Sequence, residues 1–345
     1  MAWTINNGKL YFNTVLYTGN GGTQSITSLD FAPNWVWIKS RSTVRNNVLN
    51  DTVRGATKNL FSNTTGAEAT DTETLTSFNS DGFTLGDSAK VNENGTTFAS
   101  WNWKAGTSFT NDASATGIGS IDSSGSVSTD AGFSIITYTG TGSAATVAHG
   151  LGVAPKMIIN RTISAAKDWI TYHASLGATK FVELNTTDAA ATSSDKFNNT
   201  DPTSTVFSIE SSSQNNTSGG TCLAYCFAEK KGYSKFGSYT GNGNADGTFV
   251  YTGFKPAFVM TKRTDTTSDW YLSDNKRNGF NDDNHVFYAN ESDAEKTVNR
   301  IDILSNGFKL RSTGSGVNAS GGSYIYMAFA ENPFTSSAGT PVMAR

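Results

Sequence analysis

The sequence predicts an all-β protein of three tandem antiparallel β-sandwich modules, and three observations carry that expectation. A pentapeptide recurs, as Tyr17-Thr18-Gly19-Asn20-Gly21, Tyr138-Thr139-Gly140-Thr141-Gly142 and Tyr239-Thr240-Gly241-Asn242-Gly243. Each copy is followed 16 or 17 residues later by a proline that opens an apolar run ending in a cation: Pro33 to Lys39, Pro155 to Arg161 and Pro256 to Lys262. Each copy closes on an aromatic-rich strand, at Trp101-Asn102-Trp103, Tyr225-Cys226-Phe227 and Met327-Ala328-Phe329. A repeat of such steady length marks one folded unit written three times. Repeated modules of this kind display or bind more often than they catalyse, because a catalytic constellation is usually built once.

In the first copy, residues 13–17, 24–29, 34–39, 47–51, 59–63, 82–85 and 97–104 read as strands. They are rich in Val, Ile, Thr, Phe and Trp, with Gly, Asn and Asp between them. Alternation puts Trp35, Trp37 and Lys39 on one face and Val36 and Ile38 on the other. It likewise sets Ala99, Trp101 and Trp103 against Phe98, Ser100 and Asn102. Short strands with regular turn signals predict two packed antiparallel sheets. The best helical candidate is residues 292–303, where Ser292 serves as cap with Glu295 three residues on, giving a surface turn of helix.

Finer matches support the alignment. Gly55 to Lys58 with Asn63 returns as Gly177 to Lys180 with Asn185; the third copy keeps Asn290 and a basic turn at Lys276 and Arg277. The expected modules are residues 1–104, 132–231 and 232–334, each large enough to bury a core and fold alone. Residues 105–131, rich in Gly, Ser and Thr, read as a flexible linker or a polar hairpin using Ile118, Ile121 and Val127. Residues 335–345 read as an extended tail.

Composition narrows the function. Charged residues are only 16%, the net charge is −3 and no basic run occurs, which argues against a nucleic-acid partner. No apolar stretch approaches the length of a membrane span, so no membrane insertion is expected. The opening residues lack a basic and then apolar leader, predicting synthesis and assembly in a cytoplasm. Cys222 and Cys226 share a strand face. They stand ~13 Å apart at strand spacing, against the ~7 Å limit of a disulfide. They read as small buried hydrophobes.

The sequence offers little chemistry. His149, His173 and His285 fall at unmatched places without a nucleophile signature, and His149, before Gly150-Leu151-Gly152, reads as a solvated turn residue. The pentapeptide superficially resembles a phosphate loop, but it lacks the lysine and following helix and reads as a strand ending in a tight turn. Residues 281–284 and Asp71 with Glu73 could supply calcium oxygens, yet solvated loops are the simpler reading. Trp35, Trp37, Trp101 and Trp103, and the matched Trp169 and Trp270, read as core rather than sugar-stacking surfaces. No catalytic residue, metal ligand or cofactor site is predicted, and the binding residues are left unassigned.

Taken as a set, several segments resemble the repeated β-rich modules in structural proteins of marine bacteriophages that infect SAR11-type bacteria and cyanobacteria. They are the three pentapeptides, Val53 to Lys58, Ser80 to Phe83, Trp101 to Gly106, Tyr172 to Gly177, Tyr225 to Ala228, Ser305 to Arg311 and Tyr324 to Glu331. The resemblance covers nearly the whole chain. It implies jelly-roll or concanavalin-like modules and a non-enzymatic virion component, labelled tail fibre or virion structural protein. The expected partners are other virion proteins, copies of the chain in a homo-oligomer such as a trimer, and a host-surface glycan or protein. Neither a coiled coil nor a collagen-like shaft is present, which makes a capsid decoration protein the runner-up and a glycan depolymerase tailspike the third reading.

Overall fold

The computed structural model describes residues 7–277, 281 and 285–331. Its first copy holds β1 (Phe12–Thr18), β2 (Gln24–Ile26), β3 (Trp35–Ser40), β4 (Val48–Asp51), β5 (Lys58–Phe61), β6 (Ala69–Thr70), β7 (Leu75–Asn79), β8 (Gly82–Leu85), helix α1 (Ala89–Asn92) and β9 (Thr97–Trp103). The connection carries β10 (Thr107–Asn111), α2 (Ala113–Thr116) and β11 (Ser123–Ser128). The second copy comprises β12 (Phe133–Thr139), β13 (Ala145–Ala148), β14 (Met157–Thr162), β15 (Ile170–His173), β16 (Lys180–Glu183), β17 (Ala191–Thr192), α3 (Ser194–Phe197), β18 (Val206–Ile209) and β19 (Thr221–Phe227). The third comprises β20 (Ser234–Thr240), β21 (Phe249–Tyr251), β22 (Phe258–Arg263), β23 (Trp270–Asp274), β24 (His285–Tyr288), β25 (Lys296–Thr297), β26 (Ile301–Leu304), β27 (Gly307–Leu310), α4 (Ser315–Asn318) and β28 (Ser323–Phe329).

The fold is all-β and its named strand pairs are antiparallel. One strand order recurs in the large sheets: β1-β9-β3-β4-β5-β6, then β12-β19-β14-β15-β16-β17, then β20-β28-β22-β23-β24-β25. The second strand of each copy leaves for a small sheet, β2-β8-β7, β13-β18 or β21-β27-β26. The proline before β3, β14 and β22 fits this start, since it lacks an N–H for the ladder and fixes φ where the strand begins. Residues 107–128 form a hairpin that adds β10 and β11 to the second large sheet.

The expected helix over 292–303 is absent, and β25 and β26 stand there instead. Ala294, Val298 and Ile301 stand at helical spacing, but Ile301 and Ile303 are buried together as alternate residues of β26, which a helix would separate. The Glu295 carboxylate bonds Arg41 at 2.8 Å and Arg277 at 3.3 Å rather than closing a capping box.

Both faces of each large sheet are buried, as the alternation predicts. Val36, Ile38 and Phe98 face the first small sheet with Phe83 and Leu85. Ile136, Ile158, Cys222 and Cys226 do the same in the second copy, and Val259, Tyr324 and Tyr326 in the third. The opposite faces meet one another. Trp35, Trp37, Trp101 and Trp103 share a single cluster with Phe133, Tyr225 and Phe227 and with Phe258, Met327 and Phe329. Trp35 stacks on Tyr225 with centroids 4.4 Å apart, Phe12 on Phe329 at 5.5 Å, and Phe227 meets Phe329 edge-on at 6.0 Å. The three copies therefore share one core across these faces. Each has a private core on one face, while its largest aromatics pack both on one another and on the other two copies, as Trp35 does on Trp103 at 4.5 Å and on Tyr225 at 4.4 Å.

Candidate functional site

The pentapeptide is the most repeated chemistry in the chain, and its geometry is that of a dock. Its opening tyrosine donates its hydroxyl to a carbonyl near the last strand: Tyr17 to Val91 at 2.7 Å, Tyr138 to Asn215 at 2.6 Å and Tyr239 to Val317 at 2.9 Å. A buried asparagine then accepts the N–H after the first glycine. Asn92 takes Asn20 N–H at 2.9 Å, Asn216 takes Thr141 N–H at 2.6 Å and Asn318 takes Asn242 N–H at 2.9 Å. The first glycine is required sterically, because a Cβ at Gly19, Gly140 or Gly241 would stand 2.3 Å from a backbone carbonyl oxygen. The N–H groups that a phosphate would need are thus already taken. These asparagines were missed at the sequence level; Asn92, Asn216 and Asn318 each stand three residues before a glycine, a spacing that could have exposed them.

The cation closing each apolar run crosses to another copy. Lys39 Nζ donates to the carbonyls of Arg45 at 2.5 Å and Ser292 at 2.8 Å. Arg161 donates to Thr65 at 2.7 Å and Gly66 at 2.8 Å, and Lys262 to Thr187 at 2.9 Å and to Ser268. The first copy grips the third, the second grips the first, and the third grips the second. Backbone pairs repeat the cycle: Arg45 N–H to Ser292 O, Lys167 N–H to Thr65 O and Ser268 N–H to Thr187 O, at 3.0, 2.9 and 2.7 Å. Burial lowers the Lys39 ammonium to about 7 and Lys262 to about 8, and lowers Arg161 to about 10.

A second ring of polar groups follows the same cycle. Asn47 donates to Tyr288 O, Trp169 to Phe61 O and Trp270 to Glu183 O, at 3.2, 2.8 and 2.8 Å. At the end of the neighbouring strand, Asp51 accepts the Tyr225 hydroxyl at 2.8 Å and Asp274 accepts Trp101 Nε1 at 3.0 Å. The second copy has His173 there, facing a copy whose corresponding residue, Met327, has no donor; its Nε2 lies 3.1 Å from the Tyr326 carbonyl instead. Asp51 and Asp274 are neutralised by Arg54 and Arg277, both at 2.6 Å, and where histidine replaces the acid, Leu176 replaces the arginine. Losing both charges together avoids a lone buried ion.

The shared core beneath these rings runs from Phe12 to Phe329, and one family model spans almost the same stretch. It is described as a domain of unknown function (DUF7483), and it matches residues 7–333. The chain belongs to this DUF7483 family. No curated protein matches it. The matched span takes in all three copies, so the DUF7483 unit and the body built around the shared core coincide.

The remaining reactive groups of this DUF7483 domain are engaged in packing. His149 corrects the solvated reading: it is fully buried, Nδ1 accepts Leu151 N–H at 3.2 Å, and burial lowers the ring to about 4. His173 is lowered to about 4 for the same reason. Cys222 and Cys226 are free and buried, with burial raising both thiols. The six tryptophans singled out from the sequence are all buried. Asp71 pairs with Lys90 at 2.7 Å, while residues 282–284 of the other calcium candidate lie outside the described residues. Among the described residues no group of three or more His, Cys, Asp or Glu is placed to hold a metal.

Two carboxylates do converge beside a polar cleft of about 630 Å³ that Lys167, Asp168, Lys196 and Gln214 help to line. Gln214 Nε2 donates to Asp168 at 2.9 Å and Glu183 at 3.2 Å; burial, then Asp168, raises Glu183. Asp168 is also committed to Asn185 at 2.8 Å, as Asp269 is to Asn290 at 2.9 Å. A position repeated in this way reads as structure.

Proposed function

We propose that this chain is a non-enzymatic structural protein of a bacteriophage virion, a component of the tail or fibre apparatus that meets the host surface. The resemblance to marine phage structural modules supports this reading. The observation that carries it is the use of the matched polar side chains: at all three seams they tie one copy to the next. That is the design of a rigid scaffold, with the connecting loops free to make outside contacts.

The finer fold reading belongs to the same proposal. It takes the three copies as tandem modules of jelly-roll or concanavalin type, supported by a first-last-third strand order in which the second strand crosses to the small sheet. In the virion, after assembly in the host cytoplasm, the chain meets other virion proteins and copies of itself, as a trimer for example. Linked copies raise avidity for a host glycan or protein without new contacts.

Immunogold labelling of intact virions tests the assignment. Gold at the tail tip or fibres is the expected outcome; gold spread over the head would establish the capsid decoration role instead. Release of reducing sugar from host envelope by the purified chain, lost in Asp168→Asn, would overturn the non-enzymatic reading in favour of the depolymerase.

A further inference from the structure

We propose that Phe249 and Tyr251 form a glycan-binding platform on the outer face of the third small sheet. The reading deepens the host-contact function and rests on it only for the source of the glycan. These two side chains are 44% and 61% exposed, while Val250 between them is buried. Two residues apart on one strand, they stand on the same face, ~6.6 Å from each other. β21 is the edge strand of its sheet.

The chain supplies its own control. Val250 pairs with Phe308 across the ladder, as Val147 pairs with Phe207 and Ile26 with Phe83. The outward neighbours at these equivalent places are Ser25 and Thr27 in the first copy and Thr146 and Ala148 in the second. Ser25 and Thr27 are exposed polar residues. In the second copy the interdomain hairpin covers the edge: Ser120 N–H bonds Thr146 O at 2.9 Å, and Ile121 bridges Val147. The fold therefore does not require aromatic rings at this position. Leaving two of them in water is unfavourable unless something covers them.

The surroundings identify the chemistry of the occupant. Opposite Tyr251 stands Gly307, without a side chain, and opposite Phe249 stands Lys309. The Lys309 ammonium bonds the exposed Asp246 carboxylate at 2.5 Å, and Arg311 reaches the same carboxylate at 3.2 Å. Flat apolar rings beside a fixed row of acceptor and donors match a sugar, whose C–H face stacks while its hydroxyls take hydrogen bonds. The size points the same way. Two partly exposed rings offer about 200 Å², well short of the ~800 Å² per partner of a stable protein interface.

Calorimetric titration of the full chain with cellohexaose, laminarihexaose and chitohexaose tests the platform. At least one should bind, and the Phe249→Ser, Tyr251→Thr double variant, which installs the residues of the first copy, should bind at least about tenfold more weakly. Its melting temperature should match the parent, excluding a folding defect. The proposal is overturned if none of the three sugars binds, or if the double variant binds like the parent. It is also overturned if sedimentation shows self-association that the double variant abolishes, since the face would then be a contact between copies. Gold at the tail with no sugar binding would sink the platform alone; sugar binding with gold on the head would sink the tail assignment alone.

Discussion

Lys39 shows how a single side chain can be both a lock and a liability. Its ammonium joins the Arg45 carbonyl of its own copy to the Ser292 carbonyl across a seam, yet burial lowers it to about 7 from an ordinary 10.5. Between those two values the unfolded chain holds a proton that the folded chain does not, so stability rises with pH across that window. Lys39→Met should be less stable than the parent because it orphans the Arg45 and Ser292 carbonyls. It should also lose part of the parent's rise in urea midpoint between pH 7 and 9. The buried histidines act at acid pH. His149 and His173 are lowered to about 4 from 6.5, so the unfolded state takes up protons first as pH falls. Their stabilisation is complete above pH 6.5 and is lost toward pH 4, by up to about 3 kcal/mol each. His173→Gln should flatten that acid limb in a pH series of denaturant melts.

The pentapeptide works only as an element. Its tyrosine, glycines and partner asparagine form one dock, tying the end of each copy's first strand to the loop before its last. Asn318→Ala should cost about 2 kcal/mol by stranding the Asn242 N–H and removing the donor to Asn244 and Ser312. Gly241→Ala should cost more, since its Cβ would lie 2.3 Å from the Ala319 carbonyl oxygen and backbone must move. Urea melts of the two variants check the order. All seven strands read in the first copy are present within a few residues. The two missed were β6, two residues long, and β7, which carries a register shift between Leu75 and Ser77. Neither shows a clean period of two, so pattern reading could not find them.

For the molecule as a whole, the shared core sets an expectation about what can fold. Residues 132–231 alone would expose Phe133, Tyr225, Phe227 and Trp169, all buried in the intact chain by neighbouring copies or within the common cluster. Expressed alone, this fragment should show broad, weakly cooperative melting and bind a hydrophobic dye, whereas the full chain should melt in one sharp transition. A cooperative, dye-free fragment would show that the private core suffices. Trp35→Ala, which removes the ring stacked between copies, should cost about 3–5 kcal/mol in the full chain.

By itself the sequence determined the repeat, the strand alternation and the burial of the tryptophans, because these follow from local period and residue type. Trp35, Trp37 and Lys39 on one face of β3 were legible from alternation alone. What that face meets was not. Only the tertiary structure decided that three such faces close on one another, since alternation shows which side is apolar and not what covers it. The same limit explains the polar rings. Trp169 and Trp270 match in the sequence, but Asn47 does their job in the first copy, and His173 stands in the second where the others have Asp51 and Asp274. Their equivalence lies in which carbonyl or donor they reach on the next copy, and that is set by geometry across a seam, which no single copy's sequence contains.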